Sequence, residues 1–558
     1  MSGRHVYHAF EQFKKARVEF VTSVADLASR PHNVEYLEKS GALELLRPLL
    51  TDSVPAVQQM AAVAIGRLGN SSEKFAFELL DKRIITELLQ LFHQQQTCFK
   101  KAALFILRAI AKHSAKHAQG VVDNGGLTAL IQGLQDSNTE IKEAAAWAIG
   151  YIARHNTSLA KNVVDAGALP SILSCLYDKK LTLKQVGAAA LCDITKHNYS
   201  LAQQVVDTGI VRHMVKHMED PDIKFKRQLL AVMGNIARHG SDLAEHVLDS
   251  DVLLEIFNHM AHPDADVRKN AATVIREITK HSLEMSQVVT NNSGAAALLE
   301  MITQSHGETR LPAIVALGNM AGQSAFTALN IIKSKGEIFL SRILDEENQT
   351  VKAATAWTLG NIGRHSPEHV RALSEAGVLK KLLDLYQNPK NSNDLRIKSK
   401  EAVKLAITQC SEVEDLDVLF RDVSPVIMKY LVRQFSKILP HDLEGRRKFV
   451  TLGCLRRLQH YPVDEKSKVK EYINIINGCF PEEIVRYYSP GYPQIFLEQL
   501  EKYTPQVPSH YDLSKEPSEA DQAMLGMKVP KPEKKFGKEQ KFSNIREPED
   551  EITVESGK

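Results

Sequence analysis

Histidine is the residue type whose spacing in this sequence first points to chemistry. A Lys-His or Arg-His dipeptide recurs with a step of 42 residues. It occurs at Lys112-His113, Arg154-His155, Lys196-His197, Arg238-His239, Lys280-His281 and Arg364-His365, and Gly322-Gln323 fills the one slot without it. Imidazole binds zinc, but zinc ligands must all lie ~2.1 Å from one ion, whereas neighbouring units stack about 10 Å apart. The spacing therefore favours a structural role at a helix end, where cations meet the partial negative charge of the terminus.

Other catalytic or metal-binding signals are weak. Three histidine pairs have the i, i+4 spacing that could hold a metal on one helix face, but the sequence shows no third ligand. These pairs are His113/His117, His213/His217 and His365/His369. No Walker A, H-E-x-x-H or G-x-S-x-G sequence is present, no G-x-G-x-x-G opens a helix after a strand, and no strand–helix alternation could carry a nucleotide site. We expect no enzyme and no cofactor or metal.

The composition is that of an ordinary folded protein, and the chain is longer than a single hydrophobic core usually supports. The 558 residues include 43% hydrophobic and 25% charged residues, and the net charge is only +3. Such a balance does not point to nucleic acid as a partner. The six cysteines form no CxxC pair, and no stretch approaches the ~20 apolar residues of a membrane span. We therefore expect a soluble cytoplasmic protein that binds neither nucleic acid nor membrane.

The elements that carry the dipeptide are helices in a tandem repeat. In residues 156–197, apolar spacing predicts a short helix ended by Gly167, a second helix from Ala168 to Tyr177, and a longer third helix from Leu181 to Lys196. The glycine recurs at Gly41, Gly125, Gly209, Gly336 and Gly377, Arg83 and Asp251 hold its slot in two copies, and Gly294 lags by one residue. Three helices in about 42 residues are typical of armadillo repeats. The fold class predicted is an all-α, right-handed armadillo-repeat α-solenoid.

The chain is predicted to have four segments. Residues 1–30 form an N-terminal capping helix, which covers the apolar face that the first unit would expose. Residues 31–409 form about nine repeats of 42 residues, and residues 410–502 form a divergent helical C-terminal cap. Residues 503–558 are charged and contain six prolines, which predicts a flexible, disordered tail.

A column of cations also follows the 42-residue step, near the start of each third helix. Its members are Lys100, Lys142, Lys184, Lys226, Arg268, Arg310 and Lys352. A cation opposes the helix dipole there, so helix stability does not account for the column. One interpretation is an ordinary solvated face; the other is a basic row that binds an acidic partner, such as the acidic tails of tubulin.

A third column falls where armadillo transport receptors place a Trp and, one turn later, an Asn that holds an extended peptide. Trp357 and Asn361 form one complete pair, while Tyr151 follows Trp147. Asn235 and Asn319 occupy further Asn slots, and most of the remaining Trp slots hold small residues. The ladder of an import receptor is thus mostly missing, but the groove remains a candidate for a helix or strand of another protein.

Several stretches are similar to the armadillo proteins of the ciliary central apparatus. They are 142–147, 151–156, 352–357, 363–369, 434–442 and 481–492. The last two carry the most weight because the repeat does not dictate them. The resemblance covers roughly residues 5 to 500, while the tail extends beyond it. It implies a structural component of the 9+2 axoneme, associated with one central microtubule and needed for central-pair stability and motility.

Taken together, the sequence predicts a scaffold of motile cilia or flagella, located in the cytoplasm, cytoskeleton and axoneme. Its expected partners are central-apparatus proteins, tubulin or the microtubule, and a second copy of itself through the cap and tail. The alternative is a cytoplasmic adaptor of the catenin or transport-receptor class that binds extended peptides.

Overall fold

The computed structural model describes residues 3–81, 83–92, 97–248, 252–421, 423–463 and 467–502. Every regular element in these ranges is a helix, and none is a strand. The chain forms two compact units, Met1–Pro490 and Gly491–Lys558. In the second, the described element is the helix Tyr492–Glu501. The predicted all-α solenoid is confirmed, whereas the tail predicted over residues 503–558 lies outside the described residues.

Residues 156–197, the fourth repeat unit of the chain (unit 4), show how local sequence builds the repeat. Asn156 accepts a hydrogen bond from the first turn of the helix Thr157–Asp165, which satisfies a backbone N–H that has no partner in the helix. Gly167 then turns the chain in the left-handed conformation, with φ of 84°. The second helix, Leu169–Leu176, and the third, Leu181–Thr195, follow. Each helix buries one apolar face against its neighbours.

Nine such units follow one another in the described residues between 31 and 409. Their first helices are Val34–Lys39, Glu73–Asp81, Ala115–Asp123, Thr157–Asp165, Tyr199–Asp207, Ser241–Leu248, Leu283–Asn291, Ala325–Lys333 and Pro367–Glu375. Their second helices are Ala42–Leu46, Ile84–Phe92, Gly126–Gln135, Leu169–Leu176, Ile210–Lys216, Val252–Met260, Gly294–Gln304, Gly336–Ile343 and Val378–Gln387. Their third helices are Pro55–Ser71, Thr97–Ala111, Thr139–Ala153, Leu181–Thr195, Ile223–His239, Ala265–Thr279, Leu311–Gln323, Gln349–Gly363 and Asn393–Gln409. Short 3-10 helices are Pro31–Asn33, Arg47–Thr51 and Gly307–Arg310.

The turn between the first and second helix requires a left-handed residue. Glycine provides it at Gly41, Gly125, Gly167, Gly209 and Gly377, and Arg83, Ser293 and Lys335 provide it in three other units. The prediction for Gly336 is wrong, because Lys335 takes this conformation and Gly336 begins the helix. A Cβ on Gly336 would lie 2.5 Å from Cγ2 of Ile331, so glycine is needed there for space. Asp251 lies outside the described residues.

The third helices pack on one another along the array and form a continuous layer. Small side chains let them approach closely: a Cβ on Gly360 would lie 2.9 Å from the Cα of Ala402 in the next unit. Between the helices, side chains such as Leu191 and Ile194 are completely buried. Each unit therefore completes its core with residues of its neighbours, as solenoids require.

Both ends of the array are covered by further helices. The helix Gly3–Leu27 packs on the third helix of unit 1. After unit 9 come Val413–Phe420, Pro425–Ile438, Leu443–Thr451, Cys454–Gln459, Lys468–Asn477 and Glu482–Tyr488. Pro425–Ile438 packs on the third helix of unit 9 and on Lys468–Asn477, so the third-helix layer continues into the segment predicted as a cap. The boundary between the two compact units falls inside that segment, after Pro490.

The histidines of the repeated dipeptide join consecutive units. In each case the Nε2–H donates to the carbonyl oxygen of the residue 44 positions earlier, near the end of the preceding third helix. The pairs are His113 to Gly69, His155 to Ala111, His197 to Ala153, His239 to Thr195, His281 to Ala237 and His365 to Ala321, with N–O distances of 2.6–2.8 Å. These carbonyls have no partner within their own helix. The dipeptide therefore has a structural role. Its histidine acts mainly through a hydrogen bond between units, and not only through its position at a helix end.

The ladder is interrupted where Gln323 replaces histidine. The carbonyl of Thr279, which that histidine would reach, accepts a hydrogen bond from the Ser286 hydroxyl at 3.0 Å instead. Because buried carbonyl groups need a hydrogen-bond donor, another side chain donates to this carbonyl in the unit that lacks the histidine.

We predict that the array loses stability as the pH falls below about 6.5, the ordinary histidine value. Burial, the largest cause, lowers the pKa of His239 and of His365. The unfolded chain then binds protons at a higher pH than the folded chain does, so the free energy of unfolding decreases between the unfolded pKa and the lower folded pKa. Urea unfolding at pH 7.5 and 5.5 measures this decrease. Replacing both histidines by asparagine should make the pH dependence shallower, and an unchanged dependence would contradict the assignment.

Candidate protein-binding groove

Trp147 lines two depressions on the third-helix layer. One, of about 290 Å³, is lined by Lys101, Phe105, Arg108, Glu140, Glu143, Ala144, Trp147 and Lys180. A second, of about 320 Å³, is lined by Asn70, Arg108, Lys112, Trp147, Tyr151 and Arg154. The structure brings Trp147 and Tyr151 together and adds basic side chains from units 2, 3 and 4. We call this surface the Trp147 groove.

The residue 39 positions earlier, in the preceding third helix, decides whether an aromatic ring packs against the backbone or faces the groove. At that position Gly66 lies under the ring of Phe105, and a Cβ there would be 2.5 Å from the ring. Gly318 likewise lies under Trp357, where a Cβ would overlap the indole. The corresponding residue for Trp147 is Arg108, so no bare backbone is available to receive the indole. Trp357 is therefore in large part a packing residue, whereas Trp147 lines the groove.

The groove alternates aromatic rings with cations. The guanidinium of Arg108 lies 4.8 Å from the ring centroid of Phe105, and that of Arg154 lies 5.4 Å from that of Tyr151. Trp147 and Tyr151 stack with their centroids 6.1 Å apart. Burial lowers the pKa of Arg108, because the charged form is costly to desolvate. Such an arrangement presents flat apolar surface and positive charge together.

The acidic residues of the groove are already occupied. Lys101 contacts Glu140 at 2.8 Å, and Lys180 contacts Glu143 at 2.7 Å. Within each of these two ion pairs the charges neutralise one another at the rim. The net positive charge at the centre of the groove is therefore that of Arg108 and its neighbours.

The fold can be assigned by comparison with known proteins. A crystal structure of an engineered protein matches with a TM-score of 0.62 and 20% identity, over 78% of this chain and 98% of that chain. This likeness concerns the fold alone. A family model described as Armadillo/beta-catenin-like repeat matches residues 114–154, which are the three helices of unit 3. The fold is an armadillo-repeat solenoid.

Two curated relatives resemble part of this armadillo solenoid more closely. Sperm-associated antigen 6 of Mus musculus and that of Homo sapiens are each 48% identical to it over 167 residues. The matched region covers 30% of this chain and spans about one third of the length of each relative, 33%. The resemblance predicted from the sequence is confirmed over that region.

The asparagines of the armadillo ladder bind the protein itself. Asn235, Asn319 and Asn361 each donate their side-chain N–H to the backbone carbonyl 43 positions earlier, in the preceding unit. The acceptors are Cys192, Arg276 and Gly318, at 3.2, 3.1 and 3.0 Å. Asn361 is also buried. These donors hold neighbouring units together, so a peptide would have to share them.

The predicted basic column is not a row of solvent-facing cations. Arg310 is buried, and the other six side chains are half-buried. Lys100 contacts Asp136 at 3.3 Å, Lys184 contacts Asp220 at 3.5 Å, and Arg310 contacts Glu346. Each acid lies 36 residues later, in the loop before the next third helix. Arg268 donates to backbone carbonyls at His262 and Pro263 instead. Lys100, Lys184 and Arg310 thus contribute contacts between units, which neither interpretation offered from sequence describes. Lys142, Lys226 and Lys352 are also half-buried.

Sequence reasoning missed the cations that do line the groove. They are the Lys or Arg of the repeated dipeptide, one residue before each histidine, and Lys112 and Arg154 are among the lining residues given above. The same 42-residue step that identifies the histidines also identifies these cations. Because the dipeptide was treated as one helix-end feature, its cation was not separated from its histidine.

No third possible metal ligand joins the histidine pairs in the described part of the chain. The ring centroids of His113 and His117 are 6.1 Å apart, and His113 already donates to a carbonyl. No group of three or more His, Cys, Asp or Glu residues among the described positions is arranged to hold a metal ion. Nor is any described helix long and apolar enough to cross a membrane.

Proposed function

We propose that this protein is a structural scaffold of the axonemal central apparatus in motile cilia or flagella. It binds other central-pair proteins and a central microtubule, and it is needed for central-pair stability and motility. The observation that carries the proposal is the 48% identity to sperm-associated antigen 6 over 167 residues. A solenoid suits the role, because it offers a long surface built from repeated units rather than one catalytic pocket.

The binding surface in this proposal is the Trp147 groove. Trp and Tyr provide large, rigid apolar area with few rotatable bonds, and together with Arg they dominate protein interfaces. Here Trp147, Tyr151, Arg108 and Arg154 lie together in one depression. Asn235, Asn319, Trp357 and Asn361 belong to the same layer but mainly contact the protein itself.

The second candidate is a cytoplasmic adaptor that binds extended peptides. The open depressions beside Trp147 favour it, since they could accept single side chains of a peptide. It differs from the first in location: an adaptor would be diffuse in the cytosol, whereas a scaffold would remain with the axoneme after detergent extraction.

The proposal is tested by the location of a tagged full-length chain in ciliated cells. We expect axonemal retention, and we expect the double substitution Trp147→Ala and Tyr151→Ala to reduce it, because the aromatic surface is lost. Tyr36→Ala is the matched control, since Tyr36 is an exposed aromatic residue on a first helix. A diffuse signal from the unsubstituted chain would overturn the axonemal assignment. Full retention of the double variant would exclude the groove as the contact.

A further inference from the structure

The cations of the repeated dipeptide stand at the ends of successive third helices, and the first two, Lys112 and Arg154, line the Trp147 groove. Their register is set by the histidine that follows each of them, because that side chain is hydrogen-bonded to the preceding helix end. The row consists of Lys112, Arg154, Lys196, Arg238, Lys280 and Arg364. Unit 7 has Gly322 in this position.

Lysines and arginines of this row differ in what they contact. Lys196 is 2.7 Å from Asp193, and Lys280 contacts Glu277 and the carbonyl of Arg238. Lys112 donates to the backbone and side-chain oxygens of Asn70 at 2.8 and 2.9 Å. Each lysine is thus held by groups of the protein.

The arginines are exposed, and none of them forms an ion pair with a described residue. These arginines are Arg154, Arg238 and Arg364. Arg154 lies over the ring of Tyr151, where an arriving carboxylate could still reach its guanidinium. From unit 3 to unit 5, the cations of this row that no carboxylate of the described residues neutralises are therefore Arg154 and Arg238, whereas Lys196 between them is paired with Asp193.

We propose that the groove from unit 3 to unit 5 binds an extended acidic polypeptide segment. Two of its carboxylates contact Arg154 and Arg238, and an apolar side chain lies on Trp147 and Tyr151. This inference rests on the proposed protein-binding function of the groove and names the chemistry of the partner.

Geometry sets the spacing of the two carboxylates. Third helices stack about 10 Å apart, so positions two units apart are separated by about 20 Å. An extended chain advances about 3.3 Å per residue, which places the two acids roughly six residues apart. The depressions beside Trp147, about 290 and 320 Å³, suit single side chains rather than a whole helix, which is about 10 Å wide. A basic peptide is disfavoured, because it would meet Arg108, Arg154 and Arg238.

The test uses the full-length chain with Trp357→Phe, which leaves Trp147 as its one tryptophan. Phenylalanine is tolerated at that kind of position, as Phe105 over Gly66 shows. The probe is a synthetic peptide with two glutamates six residues apart and a central leucine. We expect it to change Trp147 fluorescence on binding and to bind more weakly as salt rises. A peptide with the glutamates three residues apart, and one with lysines in their place, should bind at least about tenfold more weakly.

Charge reversal locates the site. Arg154→Glu and Arg238→Glu should each weaken binding of the acidic peptide by roughly tenfold. Arg212→Glu is the matched control, because Arg212 is an exposed arginine on a second helix, outside the groove, and should leave the affinity unchanged. Equal binding of all three peptides, or equal loss from all three variants, would overturn the proposal. If no acidic peptide binds while the double substitution Trp147→Ala and Tyr151→Ala still reduces axonemal retention, the acidic partner is wrong and the proposed function stands.

Discussion

Phe435→Ala is expected to destabilise the C-terminal helices by about 3–5 kcal/mol. The ring of Phe435 is completely buried in the helix Pro425–Ile438. It meets Phe420 edge-on with centroids 5.5 Å apart and Phe449 with centroids 4.9 Å apart. Truncation to alanine removes buried apolar area and the aromatic contacts of the ring. The surrounding helices are held by packing on both sides, so they cannot easily move in to fill the cavity that is left.

The loss should be local, because each part of a solenoid contacts mainly its neighbours. Hydrogen exchange of the full-length chain measures it: amides of Val413–Phe420 and Leu443–Thr451 should exchange faster, while those of units 2 to 5 should not change. Leu443→Ala is the control, because this side chain is 73% exposed and its loss should cost within about 0.5 kcal/mol. Equal effects of the two substitutions would contradict the packing described.

The position of Phe435 also explains what the non-repeating signature of the sequence represents. Its stretch 434–442 is one of those for which the sequence predicts similarity to the armadillo proteins of the ciliary central apparatus. Gln434 donates to the carbonyl of Cys410 at 2.7 Å, and Asp442 accepts from the backbone N–H of Gly445 at 2.9 Å. These residues build the C-terminal part of the fold. The stretch therefore has a structural role in this chain.

The helices of the repeat could be predicted because their causes are local. Apolar spacing, a side-chain cap such as Asn156 and a turn residue such as Gly167 all act within a few residues. The exceptions have local causes too. Lys335 takes the left-handed conformation one residue before Gly336, because Gly336 itself is needed for space against Ile331.

The chemistry of the columns could not be predicted in the same way. A 42-residue step shows that residues share a position, but not what each one contacts. Lys184 contacts an acid 36 residues later, while Asn361 contacts a carbonyl 43 residues earlier. Those offsets depend on helix rotation and stacking, which the sequence does not display. For this reason the step alone does not distinguish a half-buried side chain such as Lys184 from an exposed one such as Arg154.

Asp417→Asn is expected to destabilise the same C-terminal region by about 3 kcal/mol. The Asp417 side chain is only 4% exposed, and it contacts Arg457, Arg421 and the thiol of Cys454. Burial, followed by the nearby Asp417, raises the pKa of Cys454 to about 12, so the thiol stays protonated and donates. Neutralising the carboxylate leaves Arg457 with no anionic partner in this pocket. Because the Arg457 side chain is 30% exposed, solvent partly stabilises its charge. The loss in the free energy of unfolding should therefore lie near the lower end of the range for a broken buried ion pair.

Two further variants separate the buried pair from the surface pair. Arg421 is 64% exposed, so Arg421→Ala should cost at most about 1 kcal/mol. Asp417→Leu combined with Arg457→Leu removes both charges, and it should recover much of the stability lost in Asp417→Asn, because a buried ion pair can often be replaced by packed apolar groups. Urea unfolding followed by exchange of Cys454–Gln459 measures all three variants. A double variant no more stable than Asp417→Asn would show that the shape of these side chains, and not an unpaired buried charge, determines the stability of this region.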